Sequence, residues 1–192
     1  MFYWIARTAV KLYYIIFFKV QVVGVENIPK DGGMVLCSNH TSNHDPAILA
    51  SYMPRAICFM AKKELFDIKG LSFLIRHLRA FPVDRTGTDM KAFKNTIQLL
   101  KSKKVIGIFA QGTRVKEGEE KAAKAGVALF SLKGNAPVVP VAISGNFRLF
   151  SKIKIHYGKP LYLEQYRGKR VNNETLEEIT EEIMQKINEL KD

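Results

Sequence analysis

Apolar residues along the chain follow two rhythms. Short apolar runs recur at 34–38, 56–61, 80–83, 105–110, 137–143 and 153–157, each about the length of a strand. Between them the apolar positions take a helical spacing. Residues 90–100 place Phe93, Ile97 and Leu100 on one face behind a cap at Thr88 or Asp89. Residues 124–133 form a short helix ending near Gly134. A final helix starts near Asn173 and gathers Leu176, Ile179, Ile183, Ile187 and Leu190 on one side, with acidic residues opposite. Strands alternating with helices predict a layered α/β domain, its sheet flanked by helices. The Ser144-Gly145-Asn146 stretch inside 137–157 predicts a hairpin, so the sheet is expected to be mixed. Pro140 cannot donate to a ladder and predicts an edge or a bulge at its strand. No repeat or linker divides the chain.

The first eighteen residues, MFYWIARTAVKLYYIIFF, break both rhythms. A spanning helix needs about 20 mostly apolar residues, and Arg7 and Lys11 interrupt this one. No small-residue cleavage site follows, which argues against a secretory signal. Arg7 and Lys11 share a helix face, flanked by Trp4, Tyr14 and Phe18. The expected arrangement is an amphipathic helix lying in a membrane interface. The expected division is a membrane-interface helix over 1–19 and a single globular domain over 20–192.

Composition narrows the choices. The chain has 192 residues, 47% hydrophobic and 25% charged, which excludes disorder as the default. Its net charge of +12 is uneven. Residues 1–171 hold 28 Lys and Arg against 11 Asp and Glu, whereas 172–192 hold 2 against 7. The body should attract anions, such as an anionic membrane surface or phosphorylated substrates. The basic residues are scattered and no nucleic-acid motif accompanies them, so no nucleic-acid partner is expected. Cys37 and Cys58 lie in apolar runs and read as buried free thiols, without disulfide or metal spacing.

Four segments carry candidate chemistry. The first, Asn39-His40-Thr41-Ser42-Asn43-His44-Asp45-Pro46, follows an apolar strand. Ligand sites in open α/β sheets favour the carboxyl ends of strands. Asp45-Pro46 is also a helix start, with Asp as cap and Pro at the first helical position. The alternative is a base with its orienting carboxylate, because a neutral imidazole takes a proton from an alcohol and a carboxylate on its other nitrogen stabilises the imidazolium. The second segment, Ala80-Phe81-Pro82-Val83-Asp84-Arg85, ends a strand on an ion pair or a phosphate contact. The third is Ile108-Phe109-Ala110-Gln111-Gly112-Thr113-Arg114. Its glycine permits close backbone approach, and its donors suit phosphate. The fourth, Val138-Val139-Pro140-Val141-Ala142-Ile143, reads as a buried strand.

In order and spacing these segments, over about residues 20–160, resemble the glycerolipid acyltransferase family. His40 and Asp45 match its His-x4-Asp pattern, Arg85 its Arg after a Phe-Pro strand, and Phe109 to Arg114 its Phe-Pro-Glu-Gly-Thr-Arg block. Ala110 and Gln111 stand where the family has Pro and Glu. The resemblance implies a glycerol-3-phosphate-acyltransferase-like fold. It also implies transfer of a fatty acyl group from acyl-CoA or acyl-acyl carrier protein to the sn-2 hydroxyl of 1-acylglycerol-3-phosphate, giving phosphatidic acid. His40 would be the base and Asp45 its orienter. Arg85, Gly112, Thr113 and Arg114 would hold the substrate phosphate, with Lys62 and Gln111 as further substrate contacts. No cofactor or metal is expected, and the expected location is the cytoplasmic face of a membrane, a bacterial cell membrane by resemblance. His44, adjacent to Asp45, is geometrically unsuited to be the base, and His77 and His156 read as structural. The rivals are acylation of glycerol-3-phosphate or another lysophospholipid, and a non-enzymatic lipid-binding module.

Overall fold

The computed structural model describes residues 1–84, 89–111 and 126–191. Five of the apolar runs form a parallel set of strands: β2 (Met34–Ser38), β3 (Ile57–Lys62), β4 (Phe81–Val83), β5 (Val105–Phe109) and β6 (Val138–Gly145). The sixth run is β7 (Lys152–Tyr157), antiparallel to β6. With β1 (Lys19–Val23) they make one seven-stranded sheet in the order β1-β7-β6-β2-β5-β3-β4. The mixed sheet and the β6–β7 hairpin are as expected. Gly145 stands at that hairpin with φ +106, where a Cβ would strike the Lys152 carbonyl.

β1 was not among the expected strands. Lys-Val-Gln-Val-Val follows the apolar helix without a Gly or Pro stop, so nothing in the sequence separates the two. The break is a single residue, Phe18, which is extended at φ −143 and ψ 154. β1 then pairs in parallel with β7, Lys19 opposite Lys152.

Pro140 is not on an edge, because β6 lies between β7 and β2, but the expected bulge is present beside it: residues 139 and 140 face three residues, 158 to 160, of the partner segment. The register explains the tolerance. On the β7 side Val138 pairs with Leu161 in an isolated bridge, and the β7 ladder begins only at Val141 opposite Tyr157. Pro140 occupies the gap between these partners, where the ladder is interrupted, and its own carbonyl accepts from Gly158 at 2.8 Å.

The pleat sends alternate side chains to two cores. Met34, Leu36, Val139, Val141 and Ile143 meet Ile48 and Leu49 on one face; Val35, Cys37, Ile106 and Val138 meet Val127, Ile179 and Ile183 on the other. The first face is covered by α1 (Phe2–Phe17) and α2 (Asp45–Tyr52), the second by α4 (Met90–Lys101), α5 (Gly126–Gly134) and α6 (Asn173–Glu189). A short helix, α3 (Leu71–His77), precedes β4. Asp89 caps α4 by accepting from Ala92 at 2.9 Å, and Asn172 caps α6 by accepting from Thr175 at 2.9 Å. The expected start of α5 at Lys124 lies outside the described residues.

α1 forms as expected, but its polar stripe points the other way. Tyr14 and Phe18 are buried against the domain. Arg7 donates to the Ala50 carbonyl at 3.2 Å, and the Lys11 ammonium sits 5.2 Å from the Tyr52 ring. Residues 3, 7, 11 and 14 therefore share the face that packs on α2. What α1 leaves exposed is mostly apolar: Phe2, Trp4, Ile5, Leu12, Tyr13, Ile15 and Ile16, with Thr8 among them. Both helix charges are half-buried on the side that packs on α2. No helix among the described residues is long and apolar enough to cross a membrane.

Candidate active site

Because β2, β5, β3 and β4 run parallel, their carboxyl ends share one edge of the sheet. Ser38 stands opposite Phe109 and Lys62 opposite Val83. Of the sequence candidates, His40, Lys62 and Gln111 lie at or just after these strand ends, so the topology brings these three to one edge.

His40 is placed by its neighbour. Asn39 is 3% exposed, and its amide clamps the next strand: its Nδ2 donates to the Ile143 carbonyl at 2.9 Å and its Oδ1 accepts from the Ile143 N–H at 2.8 Å. A side chain thus extends the β2–β6 pairing one residue beyond the strand. The sequence named Asn39 within its motif but gave it no role. Asn39→Ala would strand two buried backbone groups, each costing about 1–3 kcal/mol. The expected result is a loss of about 2–5 kcal/mol, read as a lower denaturant midpoint at unchanged slope.

Asp45 is fully buried, and its carboxylate turns away from α2. The expected helix cap is not formed: His44 holds the cap position, and no side chain caps the first turn. Instead Asp45 Oδ2 accepts three hydrogen bonds, from the Thr41 N–H at 2.7 Å, the Ser42 N–H at 2.8 Å and His40 Nδ1 at 2.8 Å. A carboxylate accepts, so Nδ1 carries the ring proton and Nε2 is the free base. Asp45 Oδ1 has no hydrogen-bond partner among the described residues. The His40 side chain keeps 16% exposure, enough to be reached from outside.

The His40 ring lies on Phe109, with centroids 4.0 Å apart and planes 21° apart. Phe109 in turn lies parallel to Phe59 at 5.9 Å and 6°. Gly107 makes room for this stack, since a Cβ there would meet the Phe59 ring at 2.5 Å. Phe109 entered the sequence reading only as part of a phosphate block; its service as a platform for His40 could not be read without the β2–β5 register.

Gln111 follows β5, and its Oε1 is buried without a partner among the described residues. Lys62 ends β3 exposed and ion-paired with Glu64 at 3.3 Å. Arg85, Gly112, Thr113 and Arg114 lie outside the described residues. The flanks of 85–88 are tied together: Asp89 Oδ2 accepts from the Asp84 N–H at 2.9 Å while its other oxygen caps α4. The Ala92 and Asp84 amides hold the Asp89 carboxyl below the usual carboxylate range. At this end of the sheet a cleft of about 800 Å³ presents Lys63, Arg76 and Lys91 around Phe81 and Pro82; His40 does not line it.

His77 and His156 each meet a backbone carbonyl. His77 Nδ1 meets the Phe73 carbonyl at 2.8 Å, and His156 Nδ1 meets that of Leu190 at 3.2 Å. Burial pushes the Cys37 thiol up to about 12 and raises Cys58 as well, so neither is a ready nucleophile.

The chain matches the acyltransferase family over residues 19–144. It is 35% identical over 178 residues to the 1-acyl-sn-glycerol-3-phosphate acyltransferase of Bacillus subtilis, covering 90% of this chain and 88% of that one. It is 28% identical to the enzyme of the same name from Streptococcus pneumoniae, covering 86% of this chain and 63% of that one. Among solved structures it resembles the 1-acyl-sn-glycerophosphate acyltransferase PlsC of Thermotoga maritima, with a TM-score of 0.77 and 28% identity, over 98% of this chain and 79% of that one. With its mixed sheet, its His40–Asp45 pair and these likenesses together, the chain belongs to the acyltransferase family and is an O-acyltransferase.

Proposed function

We propose that this enzyme transfers a fatty acyl group from acyl-CoA or acyl-acyl carrier protein to the sn-2 hydroxyl of 1-acylglycerol-3-phosphate, giving phosphatidic acid. The observation that carries the chemistry is the 2.8 Å contact between His40 Nδ1 and Asp45, which leaves Nε2 as base at the open edge of the sheet. The acceptor choice rests on the names of the B. subtilis and T. maritima relatives. With both thiols buried and raised in pKa, the nucleophile is the substrate's own hydroxyl. It gives its proton to Nε2 as its oxygen bonds to the thioester carbonyl carbon. The carbon–sulfur bond then breaks, and the imidazolium returns the proton to the leaving thiolate. Asp45 stabilises the imidazolium in between. The scheme needs no metal or cofactor.

Arg85, Gly112, Thr113 and Arg114 are the proposed phosphate holders, by their match to the family blocks. Arg offers a planar fork that Lys lacks. A lost charged hydrogen bond costs about 1.5–3 kcal/mol, roughly one to two decades in affinity. Arg114→Lys is therefore expected to raise KM for the acceptor by that factor and leave KM for the thioester nearly unchanged. A rise confined to the thioester would move Arg114 to the donor's phosphates.

The outer face of α1 is the proposed membrane contact. Exposed apolar groups extend it at both ends. At the amino end, Phe2 meets His77 of α3 at 5.3 Å, and α3 and the turn before it expose Ile68, Phe73 and Leu74. At the carboxyl end, the Phe150 N–H donates to Phe17 at 2.7 Å beside exposed Leu149. A basic body behind an apolar face suits the surface of an anionic bilayer.

The reading is tested with labelled thioesters and an acceptor panel of 1-acylglycerol-3-phosphate, other lysophospholipids and glycerol-3-phosphate. Highest kcat/KM with 1-acylglycerol-3-phosphate is expected. A clear preference for glycerol-3-phosphate or a neutral lysophospholipid would replace the acceptor.

A further inference from the structure

We infer that Tyr14, on the buried side of α1, is a positioning residue for the catalytic loop, tying the apolar helix to the His40–Asp45 pair through His44. The inference rests on the catalytic reading of that pair.

The contact is specific. Tyr14 is 1% exposed, and its hydroxyl lies 3.1 Å from His44 Nδ1 and 3.3 Å from the His44 carbonyl. Both protonation states of His44 are served. Neutral His44 accepts from the hydroxyl at Nδ1. Charged His44 donates from Nδ1 to the hydroxyl oxygen, and the phenolic proton turns to the carbonyl. Burial raises the Tyr14 phenol above its ordinary value, so it stays protonated. The His44 ring is also fixed from the side, stacked on Phe147 at 4.6 Å and 12°.

His44 sits where movement would matter. It adjoins Asp45, and its carbonyl accepts the first hydrogen bond of α2, from Ile48 at 2.9 Å. Its N–H donates to the Ser42 hydroxyl at 3.2 Å. Residues 41 and 42 supply the two amides that hold the Asp45 carboxylate against His40. A hydroxyl on α1 therefore pins one end of the loop whose other contacts set the base and its orienter. Arg7 and Lys11 dock the same helix on the carboxyl end of α2, the end opposite His44. The helix proposed to meet the bilayer is in this way part of the frame of the active site.

The test uses Tyr14→Phe and His44→Phe, singly and together, in the full chain on anionic vesicles. Phe at 14 keeps the packing and removes the hydroxyl; Phe at 44 keeps a ring for Phe147. Tyr14→Phe is expected to lower kcat by roughly two- to tenfold, the span of one neutral hydrogen bond. KM for both substrates and vesicle binding should stay within about twofold. The double variant should lose little more than the worse single one, as expected for residues acting through one contact. Amide exchange at Thr41 and Ser42 should quicken in Tyr14→Phe, a readout that does not depend on turnover. Unchanged kcat with unchanged exchange overturns the inference. So does a fall in kcat that only follows a fall in vesicle binding, since Tyr14 would then be an anchor residue. If the parent transfers no acyl group to any lysophospholipid, the functional proposal fails, and exchange at Thr41 and Ser42 still decides whether Tyr14 holds the loop.

Discussion

Replacing His40 by Ala is expected to lower turnover by about 10²–10⁴-fold, the usual contribution of a general base. The fold should survive. His40 is partly exposed, and without it Asp45 keeps its two backbone donors from Thr41 and Ser42. Asp45→Asn should fall in the same range. An amide can still accept from those donors, but it has no charge to stabilise the imidazolium and does not hold Nδ1 as the protonated nitrogen. His44→Ala should cost far less, because His44 touches the loop and not the proton in transit. The measurement is kcat at saturating thioester and acceptor, with folding checked by denaturant titration. Near-normal turnover in folded His40→Ala would remove the proposed mechanism.

Two glutamates on the outer face of α1 are expected to release the protein from vesicles. Ile5 and Ile16 are 62% and 61% exposed, on the side away from α2, so the folded chain does not need them. Burying an Ile side chain contributes about 1.5–3 kcal/mol. Ile5→Glu with Ile16→Glu therefore forfeits about 3–6 kcal/mol of membrane affinity, roughly two to four decades in partition. Sedimentation with anionic vesicles measures it. Activity on short-chain, micelle-dispersed substrates should be largely kept. Parent-level vesicle binding by the double variant would mean that this face does not meet the bilayer.

What the sequence revealed and what it hid differ by the range of the contacts involved. The central parallel strands were visible because β2 is a short apolar run buried on both faces and β5 is so over its first three residues. The His40–Asp45 pair was visible because both members lie in one loop, five residues apart. The Asp89 cap was visible for the same local reason. The hidden parts depend on residues far apart in the chain. Asn39 clamps Ile143 across 104 residues, and Tyr14 reaches His44 across 30. The Phe59–Phe109–His40 stack needs the order of three strands, which no local pattern records. Arg7 and Lys11 misled for a different reason. Charge on a helix is ordinarily a guide to its wet side, but a carbonyl at the end of α2 and the Tyr52 ring satisfy these two from within.

The pairing of β1 with β7 also bears on how the protein is made. Nearby contacts in the same region span 130 residues, as between Asn27 and Tyr157. At ~5–20 residues per second on the ribosome, β1 waits roughly 7–26 s for β7, its strand neighbour among the described residues, to be synthesised. Through that interval the edge of the sheet that holds the carboxyl end of α1 does not exist, and the helix leans on α2 and, at its amino end, on Ile57 and His77. Its uncharged outer face meanwhile faces the cytosol or a bilayer. If the outer face of α1 meets a bilayer as proposed, a lipid surface that captures this helix during translation would cover an exposed apolar stretch of the nascent chain, and so would act as a folding partner.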